Sequence, residues 1–118
     1  MAADVVIAIP LSKERMRERG YNPAAQLAQA LAAQQYQPRV LQRTLHSTAQ
    51  SGLGRAQRLR NLRHAFQVPP GQTTYIAGKK VLLIDDVMTT GATLTVASRC
   101  LLQAGATQVN VLCMARTP

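Results

Sequence analysis

The stretch Val81-Leu82-Leu83-Ile84-Asp85-Asp86-Val87-Met88-Thr89-Thr90-Gly91-Ala92-Thr93 decides the fold. From Lys80 to Asp85 it reads KVLLID, a short unbroken apolar run of the kind buried on both faces of a parallel sheet. A Thr/Gly loop follows, then a helical segment from about Ala92 to Ala104, with Gly105 placed as its left-handed C′ residue. Open α/β sheets bind ligands at the carboxyl ends of their strands, where Asp85 and Asp86 stand. Adjacent carboxylates repel each other, and a folding core has no use for that repulsion. Hydroxyl donors or a hard divalent cation such as Mg²⁺ would stabilise them. In TTGAT, small hydroxyl side chains and a glycine let backbone N–H groups approach an anion at the mouth of the helix, and the helix dipole adds to the attraction. Acids for sugar hydroxyls or a metal, followed by a phosphate cradle, describe a site for a phosphorylated sugar. The plain structural alternative is a polar strand end followed by N-cap threonines. A GxGxxG fingerprint and a GxxxxGK[ST] loop are both absent, which removes support for dinucleotide binding and for ordinary P-loop chemistry.

Working outward, Val5-Val6-Ile7-Ala8-Ile9 is a second β-branched run, stopped by Pro10, and predicts another buried strand. Asn22-Pro23 reads as an N-cap followed by proline in the first helical position, opening a helix over Ala24 to Gln35. Between them Leu11 to Arg19 reads as a charged loop. Arg39 to Arg43 is a candidate strand, and Arg55 to Arg63 places Ala56, Leu59 and Leu62 on one helical stripe with arginines around it. Phe66-Gln67-Val68 predicts a short strand ending in a turn at Pro69-Pro70-Gly71, and Val109 to Met114 predicts another buried strand. Strands alternating with helices imply βαβ units, so the expected class is α/β, a single domain over residues 1–118 with a mainly parallel sheet flanked by helices.

Composition narrows the partners. The chain has 118 residues and a formal charge of +9, with 14 Lys+Arg against 5 Asp+Glu. A chain of this length buries roughly two-thirds of its unfolded surface, enough for one core without staples. Up to His64 there are ten basic and three acidic residues, a net of +7, whereas the remainder carries only +2. Such a field concentrates anionic ligands, nucleic acid, polyphosphate or lipid headgroups, without choosing among them. Cys100 and Cys113 lie in apolar runs without CxxC or His/Cys spacing and read as buried reduced thiols, against a disulfide scaffold or structural zinc. No segment approaches the roughly 18 apolar residues of a membrane span, and the cytosol is the expected compartment.

Residues 81–93 resemble the phosphoribosyl pyrophosphate (PRPP) motif of type I phosphoribosyltransferases: hydrophobic residues, two acids, then T-T-G-x-T. Ile9-Pro10-Leu11, followed by Arg19-Gly20-Tyr21-Asn22 and Leu27-Ala28, resembles the P-L…R-G-[FY]-N-Q…L-A pattern of the ComF/GntX-like members, which are associated with competence and DNA utilisation. Gln50, Leu53, Arg58, Asn61 and Phe66 resemble that group's Q-x-x-L…R…N…x-F stretch. Two departures stand out. Pro23 replaces the usual Gln, as a helix-start residue, and the family's N-terminal cysteine-rich zinc segment is not found ahead of the first strand, so a fragment or shortened member is expected.

The resemblance implies a Rossmann-like fold and Mg²⁺-dependent transfer of the 5-phosphoribosyl group from PRPP to a nitrogenous acceptor, with pyrophosphate release. It implies that Asp85 and Asp86 serve the ribose hydroxyls, directly or through the metal, and that Thr89, Thr90, Gly91, Ala92 and Thr93 bind the 5′-phosphate. Lys13 and Arg15 are the expected pyrophosphate cations, with a solvated charged turn as the alternative. His46 to Arg58 suits a mobile lid or a plain surface loop. Arg55, Arg58, Arg60 and Arg63 form either a polyphosphate or DNA contact or a solvated helix face. Base stacking has few aromatics to draw on, with no Trp and one Phe. His46 and His64 are solitary and read as surface residues. DNA, competence or DNA-utilisation proteins and a second copy of the chain are candidate partners, and the alternative function is a non-catalytic PRPP- or nucleotide-sensing or single-stranded-DNA-handling module.

Overall fold

The computed structural model describes residues 3–44, 63–88 and 91–116. In chain order the elements are β1 (Val5–Ala8), α1 (Lys13–Arg19), α2 (Pro23–Ala32), β2 (Gln42–Arg43), β3 (Phe66–Gln67), a 3₁₀ helix (Pro70–Tyr75), β4 (Lys80–Met88), α3 (Ala92–Gln103) and β5 (Gln108–Arg116). Three strands form an all-parallel sheet in the order β1-β4-β5, and β2 and β3 pair antiparallel as a small separate ribbon. This is the expected α/β class, with the KVLLID strand at the centre of the sheet.

Period two along β1 divides the core between two helices. Val5, Ile7 and Ile9 pack with Val81, Leu83, Leu94, Ala97 and Leu101 on the α3 face, while Val6 and Ala8 pack with Ala24, Ala28 and Ile84 on the α2 face. Alanines on α2 let that helix lie close to the sheet, whereas leucines fill the deeper α3 side. Register is set at the amino end, where Asp4 donates its N–H to the Lys80 carbonyl and accepts the Lys80 N–H on its carboxylate, both at 2.9 Å. Gly105 has φ +119, and the Ala106 and Gly105 N–H groups return to the carbonyls of Leu101 and Leu102, closing α3 in a Schellman turn at the position expected.

Several expectations need correction. Leu11 to Arg19 contains a helix rather than only a loop: Ser12 caps α1 by accepting from the Arg15 N–H, Glu14 lies in its first turn, Arg17 and Arg19 lie in its last, and Gly20 closes it at φ +77. Those end signals sit in a seven-residue segment without an apolar stripe, which is why periodicity did not find it. Helix α2 ends at Ala32, short of Gln35, because residues 35–37 bridge to Val6 at the edge of β1. Only Gln42 and Arg43 of the 39–43 segment are strand, and Pro69-Pro70-Gly71 leads into a 3₁₀ helix instead of a simple turn. Strand β5 is not buried: it lies at the sheet edge with Val111, Leu112 and Met114 exposed, and Cys100 and Cys113, which form no disulfide, are half-buried rather than buried. The lid segment His46 to Arg58, the stripe Ala56, Leu59 and Leu62, and Arg55, Arg58 and Arg60 lie outside the described residues. Among the described residues no helix is long and apolar enough to cross a membrane.

Asn22 joins two layers. Its Oδ1 accepts from the N–H groups of Ala24 and Ala25, and its Nδ2 donates to the Ile9 carbonyl at 3.0 Å. Asn22→Ala is expected to lose about 1–2 kcal/mol of stability, measured by urea denaturation, and Asn22→Asp, which keeps the cap acceptor but not the donor to Ile9, to lose less.

Candidate functional site

The carboxyl end of the sheet is assembled from three chain segments. The Ile9 N–H donates to the Ile84 carbonyl at 2.8 Å, so the chain leaving β1 runs beside the end of β4 before Pro10 ends the ladder. Asn22 then holds the Ile9 carbonyl, and Arg43 Nε donates to the Pro10 carbonyl at 2.7 Å. The residues after β1 are thus pinned from α2 and β2, and α1 starts from that pinned point.

Asp85 and Asp86 are 8% and 7% exposed, the two polar residues buried among the described ones. The Asp86 N–H donates to Asp85 Oδ1 at 2.8 Å, and Arg19 Nη1 meets Asp86 Oδ2 at 2.5 Å. Burial holds the Asp85 carboxyl above its ordinary value. The shared hydrogen bond and negative charge of Asp86 push the same way, while the Asp86 backbone N–H and the Arg15 charge oppose them. Beyond β4, Gly91 at φ +81 is the N-cap residue of α3, and Ala92, Thr93 and Leu94 form its first turn. Ala92 and Thr93 are half-buried, and Thr95 Oγ1 donates back to the Gly91 carbonyl at 3.0 Å.

The structure therefore sets Asp85 and Asp86 near the carboxyl end of β4, which continues past the expected Lys80–Asp85 run to Met88 before the chain reaches Gly91, Ala92 and Thr93 at the helix entrance. Thr89 and Thr90 lie outside the described residues. Arg15 is close enough for its charge to act on both Asp85 and Arg43. Lys13 is exposed at the start of α1 and, among the described residues, makes no ion pair. Arg63 and His64 are exposed and line a separate 600 Å³ hollow against α3.

Two cations at the site escaped the sequence reading. Arg19 is four residues after Arg15, so a helical reading of 13–19 would have put both on one face. Arg43 carries no local signal; its place depends on β2 pairing with β3 across an intervening stretch of more than twenty residues. Among the described residues no group of three or more His, Cys, Asp or Glu is arranged to cage a metal. Two carboxylates offer the hard oxygen donors that suit Mg²⁺, an ion that keeps water and shares itself with substrate phosphates.

A raised carboxyl reverses the usual pH dependence of stability. The folded chain holds the Asp85 proton to higher pH than the unfolded chain, whose ordinary value is 3.8, so stability falls as pH rises through the window above 3.8. Asp85→Asn is expected to melt higher than wild type near pH 7, with the gap closing as the pH is lowered toward about 4; thermal denaturation across that range checks it.

The phosphoribosyl transferase domain family model matches residues 4–118. The DNA utilization protein YhgH of Escherichia coli O157:H7 is 33% identical over 117 residues, covering 97% of this chain and 50% of that protein. Competence protein F of Haemophilus influenzae is 34% identical over 116 residues, with 96% and 50% covered. Competence protein ComFC of Bacillus subtilis is 40% identical over 101 residues, with 86% and 39% covered. The chain thus spans about half the length, or less, of these curated relatives. Among solved structures, the glutamine phosphoribosylpyrophosphate amidotransferase of B. subtilis, complexed with ADP and GMP, superposes with a TM-score of 0.61 at 25% identity, covering 97% of this chain and 23% of that one.

Proposed function

This chain belongs to the phosphoribosyl transferase domain family, and from that premise we propose that it binds PRPP at the end of β4 and transfers the 5-phosphoribosyl group to a nitrogenous acceptor. The observation that carries the proposal is the buried pair Asp85-Asp86 at the strand end that runs into the entrance of α3.

In this reading the carboxylates of Asp85 and Asp86 accept hydrogen bonds from the ribose 2′- and 3′-hydroxyls. The backbone of Gly91, Ala92 and Thr93, with Thr89 and Thr90 before them, takes the 5′-phosphate at a helix N-terminus. Arg15 and Lys13 serve the pyrophosphate. The new C1–N bond forms as the C1–O bond to pyrophosphate breaks, and positive charge develops on the ribose ring. Buried carboxylates beside that ring stabilise the charge where it appears, so no covalent nucleophile is required. Asp85 and Asp86 are the residues that would hold Mg²⁺, directly or through water, and the ion when bound supplies charge neutralisation to the departing pyrophosphate. Arg19 pairs with Oδ2 of Asp86, so this ion pair stands beside the oxygens that ribose would use.

A second reading draws on the names of the relatives, DNA utilization and competence proteins, together with the +7 carried up to His64. It makes single-stranded DNA a ligand, with Arg58 and Arg60 as contacts; undetectable binding in moderate salt, unaffected by replacing those arginines, disposes of it.

Calorimetry with PRPP and Mg²⁺ tests the principal reading. Wild type is expected to bind, and Asp85→Asn combined with Asp86→Asn to weaken binding at least about tenfold, while pyrophosphate appears when a suitable acceptor is supplied from a panel of bases and amines. No heat with PRPP, or undiminished binding by the double variant, would overturn it.

A further inference from the structure

The 600 Å³ hollow beside α3 is lined by two arginines and a histidine, and none of the residues that serve PRPP in the reading above takes part in it. One wall is a single face of α3: Val96, Arg99, Cys100 and Gln103 follow the i, i+3, i+4, i+7 spacing that sets side chains in one row. Arg63, His64 and Gln67 line it from the β2–β3 ribbon. Thr44 secures that ribbon, since its N–H donates to the Ala65 carbonyl at 2.9 Å and its Oγ1 to the His64 carbonyl at 2.5 Å.

The charges of this hollow are unbalanced within the chain. All five acidic residues stand elsewhere: Asp4 before β1, Glu14 and Glu18 on α1, Asp85 and Asp86 on β4. No carboxylate lines the hollow, and among the described residues neither Arg63 nor Arg99 forms an ion pair. Two arginines, 36 positions apart in the numbering, thus share one cavity without a counter-ion. An oxyanion on a ligand supplies one, through charge-assisted hydrogen bonds to their planar forks.

The remaining lining indicates what carries that oxyanion. A bare phosphate uses neither the apolar surface nor the volume, which falls in the range of sites for whole small organic molecules. Gln67 and Gln103 each present an amide that both donates and accepts, the pairing that reads the edge of adenine. Phe66, Val96 and Cys100 offer apolar surface for the faces of such a ring.

We propose that this hollow is a nucleotide site, with the phosphate on Arg63 and Arg99 and the base against Gln67, Gln103 and the apolar lining. A free nucleotide and one unit of a single strand present the same chemistry to it. The assignment does not rest on PRPP binding.

Calorimetry of the full chain with AMP, inorganic phosphate and a short oligodeoxyadenylate tests it, and alkylation of Cys100, followed by peptide mass spectrometry, locates the ligand. AMP is expected to bind at least about tenfold more tightly than phosphate and to slow Cys100 alkylation, and PRPP with Mg²⁺ to change AMP affinity less than about twofold. Arg63→Gln and Arg99→Gln are each expected to weaken AMP at least about fivefold. Arg39→Gln removes the same charge from an exposed arginine outside the hollow and is expected to leave AMP within about twofold, as is Asp85→Asn combined with Asp86→Asn. With that dependence on Arg63 and Arg99, both AMP and strand binding support the site; tighter AMP makes free nucleotide the ligand, and tighter strand makes it DNA. Phosphate bound as tightly as AMP, AMP binding indifferent to Arg63 and Arg99, or AMP displaced by PRPP and lost in the acid-pair variant would each overturn the proposal. So would failure of both AMP and the strand to bind. Should a glutamine variant not fold, Arg63→Lys and Arg99→Lys decide: weakened AMP with unchanged PRPP supports the site, and unchanged AMP overturns it.

Discussion

Two adjacent carboxylates, held almost out of water at the end of the central strand, are the constraint around which the rest is arranged. Burying one charge is unfavourable, and burying two side by side is more so. The protein offsets this with a backbone N–H on Asp85, a guanidinium on Asp86, and the nearby charge of Arg15. Each compensating group comes from β4 itself or from the segment after β1, and that second segment is thoroughly tied down. Asn22 and Arg43 hold consecutive backbone carbonyls, at Ile9 and Pro10, from two different elements, the cap of α2 and β2.

Helix α1 shows how little of this depends on hydrophobic burial. None of its residues is buried, and seven residues are too few for a helix to persist on propensity. Its order comes from Ser12 at one end, Gly20 at the other and Arg19 reaching Asp86. The acid pair and α1 therefore stabilise each other, and a ligand that takes Asp86 from Arg19 loosens the element carrying Lys13 and Arg15.

The central features were legible in the sequence because they are local. The β1 and β4 runs, the Asn22-Pro23 helix start and Gly105 after α3 each depend on the few residues around them, and the structure places them accordingly. What was not legible depends on distant pairing or on context. β5 reads as buried because Val109 to Met114 is apolar, yet burial requires a neighbour on its outer side. Helix α1 hides because its signals are caps and charges rather than a stripe. Arg43 could not be found from any window, since its neighbours Pro10, Phe66 and Asp85 are brought together only by the fold. The proximity of Asp85 and Asp86 was guaranteed by adjacency, whereas their burial and the Arg19 contact were not.

The two edges of the sheet are finished differently. Val6 of β1 bonds onward to the Gln35–Gln37 backbone, so that margin is closed for part of its length. Along β5, nine residues long and with Arg116 its sole charge, the outer ladder groups have no strand partner among the described residues, and apolar side chains stand exposed on both faces. Two opposing forces then act between copies in solution. The +9 charge keeps them apart, but over a range of only about 8 Å at physiological ionic strength. Apolar attraction and backbone pairing act at contact and are undiminished by salt; sulfate strengthens the apolar part. Ionic strength is consequently the variable that sets the colloidal stability of this chain, and low-salt buffers are the conditions in which its edge is best protected.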